Sequence, residues 1–319
     1  MEILVTGAGG FVGSALVRRL AGSLAVGDRL LATDIAFHEK PPLPGVEYMQ
    51  GAIDDREHLA RLTSRPLDKV FHLATVAGVQ SADFKLGKRV NLDATMALLD
   101  ALAEQEHPAR LIYSSSAGVF GVPFPTQIND ETLPTPGWSY GAHKLVSEIL
   151  ITDYARAGLV DGLALRFPGI VARPEGSTTM LSAFVNNIFY AARAGREFAL
   201  PLNAEDGTWL MSLRRCLDNV IHASDIPREA LPERRAWMLP ALFIRMRELV
   251  EALAARYGDQ VLTRIRYEPV AEARRLFAMV PLDASGARAL GMVGDETPES
   301  LVANVIAENP ALRPGPASV

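Results

Sequence analysis

"TGAGGFVG" (Thr6–Gly13) lies directly after the apolar run Ile3-Leu4-Val5 and directly before a stretch of helical character. Glycine loses more backbone freedom on folding than any other residue, so a chain that spaces Gly7, Gly10 and Gly13 three apart needs a reason for it. Between a strand and a helix that reason is a pyrophosphate. Gly7 permits the tight turn, Gly10 lets a phosphate approach the backbone, and Gly13 lets the helix close on the strand. The helix start at Phe11 and Val12 then offers N–H groups and a partial positive charge to the phosphates.

Asp34 stands 21 residues after Gly13, at the end of the next apolar run, Leu30 to Asp34. A carboxylate there accepts hydrogen bonds from ribose hydroxyls. No arginine follows it to pair with a 2′-phosphate, which selects NAD over NADP. Ile53, in "GAID" (Gly51 to Asp54), is placed to lie against the adenine.

Further strands read at Lys69 to Ala74 and Leu111 to Ser115, with helical stretches over Phe11 to Leu24, Arg56 to Leu62 and Arg89 to Glu106. Such alternation predicts an α/β fold, a Rossmann-type doubly wound parallel sheet. Its ligands gather at the carboxyl ends of the strands. After "LALRFPGIVARP" (Leu163 to Pro174) the alternation breaks down. We therefore expect an NAD-binding domain over 1–168, to which 207–223 returns as a strand and a helix, and a smaller substrate-binding lobe over 169–319.

With 319 residues, 49% apolar and 22% charged, the composition is that of a globular protein. A formal charge of −5 gives no basic field for nucleic acid or anionic lipid. No apolar run approaches the ~20 residues of a membrane span, and no basic leader precedes the first strand, so a cytoplasmic location is expected. Cys216 is the sole cysteine, which excludes a disulfide framework. The six histidines show no metal spacing, so no metal is expected, and His72 reads as a packed strand residue. The proline-bearing tail from Pro310 to Val319 is expected to fray.

"SYGAHK" (Ser139 to Lys144) puts Tyr140 and Lys144 four apart, on one side of a helix. A phenol of pKa ~10 is a poor base at neutral pH, but a neighbouring ammonium favours its phenolate. Such a pair can take the proton of an alcohol while hydride leaves the same carbon. "SSSAGVFG" (Ser114 to Gly121) adds hydroxyls at a strand's carboxyl end, one of which can steady charge on the reacting oxygen. Tyr-x-x-x-Lys alone is frequent by chance; its force comes from the company it keeps.

Taken together, Gly7/Gly10/Gly13, the "HLA" strand end with Leu73 and Ala74, Val90-Asn91, the serine run and Tyr140/Lys144 resemble the extended short-chain dehydrogenase/reductase family (NAD-dependent epimerases and dehydratases). The resemblance implies Tyr140 as general acid/base, Ser116 as its hydroxyl partner, and Lys144 on the nicotinamide ribose. It also implies Asn91 in a proton relay and Pro168 beside the cofactor. A homodimer through the helices Arg89 to Glu106 and Tyr140 to Gly158 is implied as well, with Leu98, Leu102, Val146, Ile149 and Leu150 as its apolar surface.

Nucleotide-sugar members follow their sixth strand with Arg-x-x-Asn, where this chain has Pro168 and Gly169. The run from Ser139 to Pro174 is similar instead to the D-erythronate dehydrogenase branch, which oxidises the C2 hydroxyl of a four-carbon sugar acid with NAD. Thr75 and Gly169 depart from that branch. For such a substrate Thr75 and Gly169 would lie by the substrate, Ser116 and Tyr140 would face the reacting hydroxyl, Trp209 would be a pocket wall or core, and Arg173 or Arg214 (or Arg215) would meet the carboxylate. The alternatives are a nucleotide-sugar epimerase or dehydratase and a non-catalytic NAD-binding protein.

Overall fold

The structure is a computed structural model describing residues 1–77, 83–176 and 181–314. It divides into two compact units. Met1–Gly121, Pro134–Phe167 and Asn219–Trp237 form the first, and Val122–Leu133, Pro168–Asp218 and Met238–Val319 the second.

The first unit opens with β1 (Glu2–Thr6), α1 (Phe11–Ala21), β2 (Arg29–Asp34), β3 (Val46–Gln50), α2 (Arg56–Leu62) and β4 (Lys69–His72). It continues through α3 (Phe84–Lys88), a π-helical turn (Arg89–Asp93), α4 (Ala94–Ala103), β5 (Arg110–Ser116), α5 (Ser139–Arg156) and β6 (Asp161–Phe167). The strands lie in the order β6-β5-β4-β1-β2-β3, every pair parallel. Order reverses between β1 and β4, so the chain leaves both strands at the switch point where such sheets bind ligands. Both sheet faces are covered, and β1 is accordingly apolar on successive residues rather than on alternate ones.

Helix α1 buries Ala15, Leu16, Val17 and Leu20 against the sheet and turns Arg18 and Arg19 to solvent, as its periodicity requires. It stops at Ala21 rather than Leu24, where the Gly22 N–H bonds back to Leu20 O. Strand β3 escaped the sequence reading because its residues, VEYMQ, are only half-buried at the sheet edge. On α4, Leu98, Leu99 and Leu102 are wholly buried in the core with Leu4, Val70 and Leu111. This corrects the expectation that Leu98 and Leu102 form an outer face. The apolar residues that α3, α4 and α5 expose are Phe84, Met96, Val146 and Ile149.

The second unit holds β7 (Gly169–Val171), α6 (Phe184–Ala194), β8 (Phe198–Leu200), β9 (Gly207–Ser212), the start of α7 (Leu213–Asp225), β11 (Leu242–Arg245) and α8 (Met246–Tyr257), with β10 (Ala236–Met238) standing apart. Strands β11, β9 and β7 make a three-stranded sheet, antiparallel then parallel. So β9 does not return to the first sheet, as 207–223 was expected to do. The returning segment is Asn219–Trp237, and β10 supplies the seventh strand of the first sheet, beside β6. The tail is also tied down further than expected. Leu312 is fully buried, and its carbonyl accepts the Tyr257 hydroxyl at 2.7 Å. Residues 315–319 of that tail lie outside the described residues.

Candidate active site

The glycine turn leaves β1 with Gly7 at φ +69°, a conformation L side chains rarely adopt. A Cβ there would also strike Ala74 N at 2.6 Å, so Gly7 packs the turn onto the end of β4. A Cβ on Gly13 would stand 2.0 Å from Gly7 O, which shows how closely α1 presses on the turn. Gly10 is the exposed N-cap of α1, makes no side-chain cap and has no acidic residue in the turn after it. The helix start therefore carries its partial positive charge with no side-chain cap and no first-turn carboxylate on it.

The sequence reading passed over Gly9. Its N–H donates to Asp34 Oδ2 at 2.9 Å, locking the carboxylate beside the turn it is expected to serve. The adjacent pair Gly9-Gly10 was the only signal. Ile53 is buried with Leu31, Leu59 and Leu62, so most of its surface is already used by the core.

At the end of β4, Leu73 and Ala74 run past the glycine turn. Asn91 sits buried in the π-helical turn. Its Oδ1 accepts the Thr75 hydroxyl at 3.0 Å and Val76 N at 2.7 Å, and its Nδ2 donates to Val76 O at 2.9 Å. Asn91 thus pins the segment after β4, and Thr75 is held at the surface through it.

Ser116 closes β5 and caps a short 3₁₀ turn, its Oγ accepting Gly118 N at 3.0 Å while keeping its own O–H. Gly141 follows Tyr140 directly; a Cβ on it would meet Gly118 O at 2.1 Å. Only glycine lets the first turn of α5 come this close to the turn that Ser116 caps. One turn later Lys144 is 1% exposed, and its Nζ donates to Ser114 O at 2.5 Å. That Nζ lies 4.5 Å from the Tyr113 ring centroid and 5.7 Å from that of Tyr140. Burial drives the Lys144 pKa down to about 7, against a weaker upward pull from Glu148.

Glu148 and Arg166 were not anticipated. Glu148 is buried on α5, four residues beyond Lys144, and Arg166 is buried on β6. The guanidinium holds both carboxylate oxygens, Nε to Oε1 at 3.0 Å and Nη2 to Oε2 at 2.8 Å. The Ser115 hydroxyl also donates to Oε1, and Arg166 stacks on Phe120 at 5.1 Å. A spacing of four from Tyr140 through Lys144 to Glu148 was visible, but a charged residue on that spacing reads as solvated by default.

In the second unit, Arg173 is half-buried, its N–H donating to Asn186 Oδ1 at 2.9 Å and its carbonyl accepting the Tyr190 hydroxyl at 3.0 Å. Arg214 is exposed, and Arg215 pairs with Asp218 at 3.3 Å. Trp209 is 1% exposed with its N–H bonded to Val280 O at 2.8 Å, which matches the core reading of the two. Pro168 is the first residue of the second segment of this unit, Pro168–Asp218. Cys216 is buried, and burial pushes its thiol up, out of the reactive range. Among the described residues no group of His, Cys, Asp and Glu is arranged to hold a metal ion, and no helix is long and apolar enough to cross a membrane.

The profile of the NAD dependent epimerase/dehydratase family matches residues 3–205. The chain is 32% identical to a D-erythronate dehydrogenase of Cupriavidus necator, over 95% of this chain and 97% of that one. It is 30% identical to a D-erythronate dehydrogenase of Haemophilus influenzae, over 96% and 99%. Among solved structures it resembles a nucleoside-diphosphate-sugar epimerase from Agrobacterium tumefaciens, with a TM-score of 0.91 and 30% identity over 97% of this chain and 94% of the other.

Proposed function

Since the chain belongs to the NAD-dependent epimerase/dehydratase family, we propose that it is a dehydrogenase that oxidises a secondary hydroxyl of a small sugar acid, of D-erythronate type, to the 2-oxo acid. The observation that carries the chemistry is the buried Lys144 ammonium beside Tyr140, on a helix pressed against the Ser116 turn. Near-full-length similarity to two D-erythronate dehydrogenases supports the substrate class.

The residues fit NAD: an uncapped helix N-terminus for the pyrophosphate and an anchored carboxylate, Asp34, for the adenosine ribose. When bound, NAD supplies the hydride acceptor. Tyr140 takes the proton from the substrate hydroxyl, Ser116 donates a hydrogen bond to that oxygen, and Lys144 favours the tyrosinate and holds the nicotinamide ribose. The second unit serves as the substrate-binding lobe.

Asp34→Ala should weaken NAD roughly tenfold and narrow the preference over NADP, because a charged hydrogen bond and a phosphate-repelling group go together. An unchanged ratio of the two kcat/KM values would remove Asp34 from the ribose site. We assign the substrate carboxylate to Arg173. In Arg173→Ala the KM for the acid should rise roughly tenfold or more while NAD affinity holds, the scale of a lost charged hydrogen bond. Equal losses for a neutral analogue would refute that assignment.

Phe84, Met96, Val146 and Ile149 leave an apolar surface on α3, α4 and α5, which we assign to a homodimer. Ile149→Lys should shift sedimentation from dimer to monomer; a wild-type monomer at micromolar concentration would end the idea.

The Agrobacterium relative keeps the nucleotide-sugar reading open. Against it, Gly169 occupies the strand after β6, where a Cβ would lie 3.1 Å from Trp209 O, and no asparagine follows in Gly169–Val171. NADH absorbance over a panel of free aldonic acids and nucleotide-linked sugars separates the two. Net NADH from a free acid supports the dehydrogenase. Conversion of a nucleotide-linked sugar without net NADH would replace it.

A further inference from the structure

His72 closes β4 with no exposed surface, and no role for it follows from the chemistry above. Its Nδ1 lies 2.7 Å from Thr6 Oγ1 and its Nε2 lies 3.0 Å from Thr95 Oγ1. The protons can be assigned by counting. Thr95 spends its single hydroxyl proton on Asn91 O at 3.0 Å, so its oxygen accepts from His72 Nε2–H. With Nε2 protonated, a neutral ring presents Nδ1 as a lone pair, which takes the Thr6 hydroxyl proton. Thr6 Oγ1 in turn accepts Ala74 N at 3.2 Å. All bonds then run one way, from Ala74 N through Thr6, His72 and Thr95 to Asn91 O. Ser147 of α5, three residues beyond Lys144, donates to His143 O at 3.0 Å and has the same Asn91 carbonyl as a second, longer acceptor at 3.5 Å.

We propose that His72 is a positioning residue. One fixed tautomer of its imidazole ties the glycine turn, through Thr6 and Ala74, to the Asn91 turn and so to the helix bearing Tyr140 and Lys144. The ring also faces Tyr113 of β5, with ring centroids 5.6 Å apart, and feels the Lys144 charge. Burial first, and that ammonium second, hold its pKa down at about 3, so the chain of bonds keeps its direction throughout the working range. Reversing it would strand the Thr6 hydroxyl proton and draw the Thr95 proton away from Asn91 O. The catalytic part of this inference rests on the dehydrogenase reading; the tautomer does not.

Nitrogen-15 spectra of the full chain, labelled at its histidines, test the tautomer directly between pH 5 and 8, with His72→Asn assigning the signal. A neutral Nε2–H ring that does not titrate is expected. Titration in that range, or an Nδ1–H ring, overturns the proposal whatever the enzyme turns over. Two isosteric variants then test positioning. Thr95→Val should lower kcat about tenfold, the scale of a small misplacement of catalytic groups, with KM for NAD little changed and Thr95→Ser restoring the rate. Thr6→Val should raise the Kd for NAD about tenfold, since it frees Ala74 N and the glycine turn together. If both variants melt lower yet keep kcat and Kd, His72 is only a core residue and the proposal fails. A variant that does not fold leaves the decision to the wild-type spectra. Activity retained in Tyr140→Phe would instead indict the catalytic reading and leave the tautomer standing.

Discussion

Tyr140→Phe is expected to lose at least ~100-fold in kcat, the usual scale for a general base, while NAD still binds. The change removes one oxygen and keeps the ring at the start of α5, so the contacts around Gly141 and Gly118 stay intact. The pH profile should report the same assignment. With Lys144 held at about 7, the Tyr140–Lys144 pair gives up its first proton near neutrality. The deprotonated pair is the base for alcohol oxidation, so kcat/KM should rise with pH through that region. Lys144→Met takes away the charge that favours the phenolate, and the rise should move up toward the range of an ordinary phenol, ~10. Isothermal titration with NAD and a pH series of initial rates make both measurements. Retention of most of the activity in Tyr140→Phe would remove this residue from the mechanism.

How much of this was legible beforehand differs by residue, and the reasons are physical. Gly7 and Gly13 are readable because side chains rarely adopt φ +69° and none allows an approach of 2.0 Å, and because their spacing sits between a strand and a helix. Arg18 and Arg19 are readable because helical period decides which face meets water. Gly9 was missed because what constrains it comes from the far end of β2: a Cβ would meet Ala36 O at 2.2 Å, and its N–H donates to Asp34. The segment Gly207–Ser212 was assigned to the wrong sheet because a wholly buried strand announces only that it is buried. Leu98 and Leu102 were placed outside for a related reason: apolar residues on a helix do not say whether the sheet or another chain covers them. Glu148 and Arg166 lie 18 positions apart and are joined only by the fold, so neither announced the other.

That pair carries the second large effect. Arg166→Met should destabilise the fold by ~3–5 kcal/mol, since it leaves the Glu148 carboxylate buried with its counter-charge gone. The Ser115 hydroxyl remains as a donor, but one neutral hydrogen bond does not balance a charge in the interior. The deficit should shrink as pH falls, because the stranded carboxylate can then bind a proton that the unfolded chain binds less readily. Adding Glu148→Gln to Arg166→Met should recover much of the loss, as removing both charges also removes the cost of burying them. Denaturant melts of wild type and the two variants at neutral and mildly acid pH supply the comparison. A single variant as stable as wild type would mean that water reaches the pair. The double variant has a second use. Glu148 pulls the Lys144 pKa upward against burial, so its replacement by glutamine should lower that pKa further. The rise of kcat/KM should then move to lower pH in a protein whose stability has been largely restored, and that shift separates the charge of Glu148 from its part in anchoring α5 to β6. If the profile stays where it was, the carboxylate holds the helix and does nothing to the lysine.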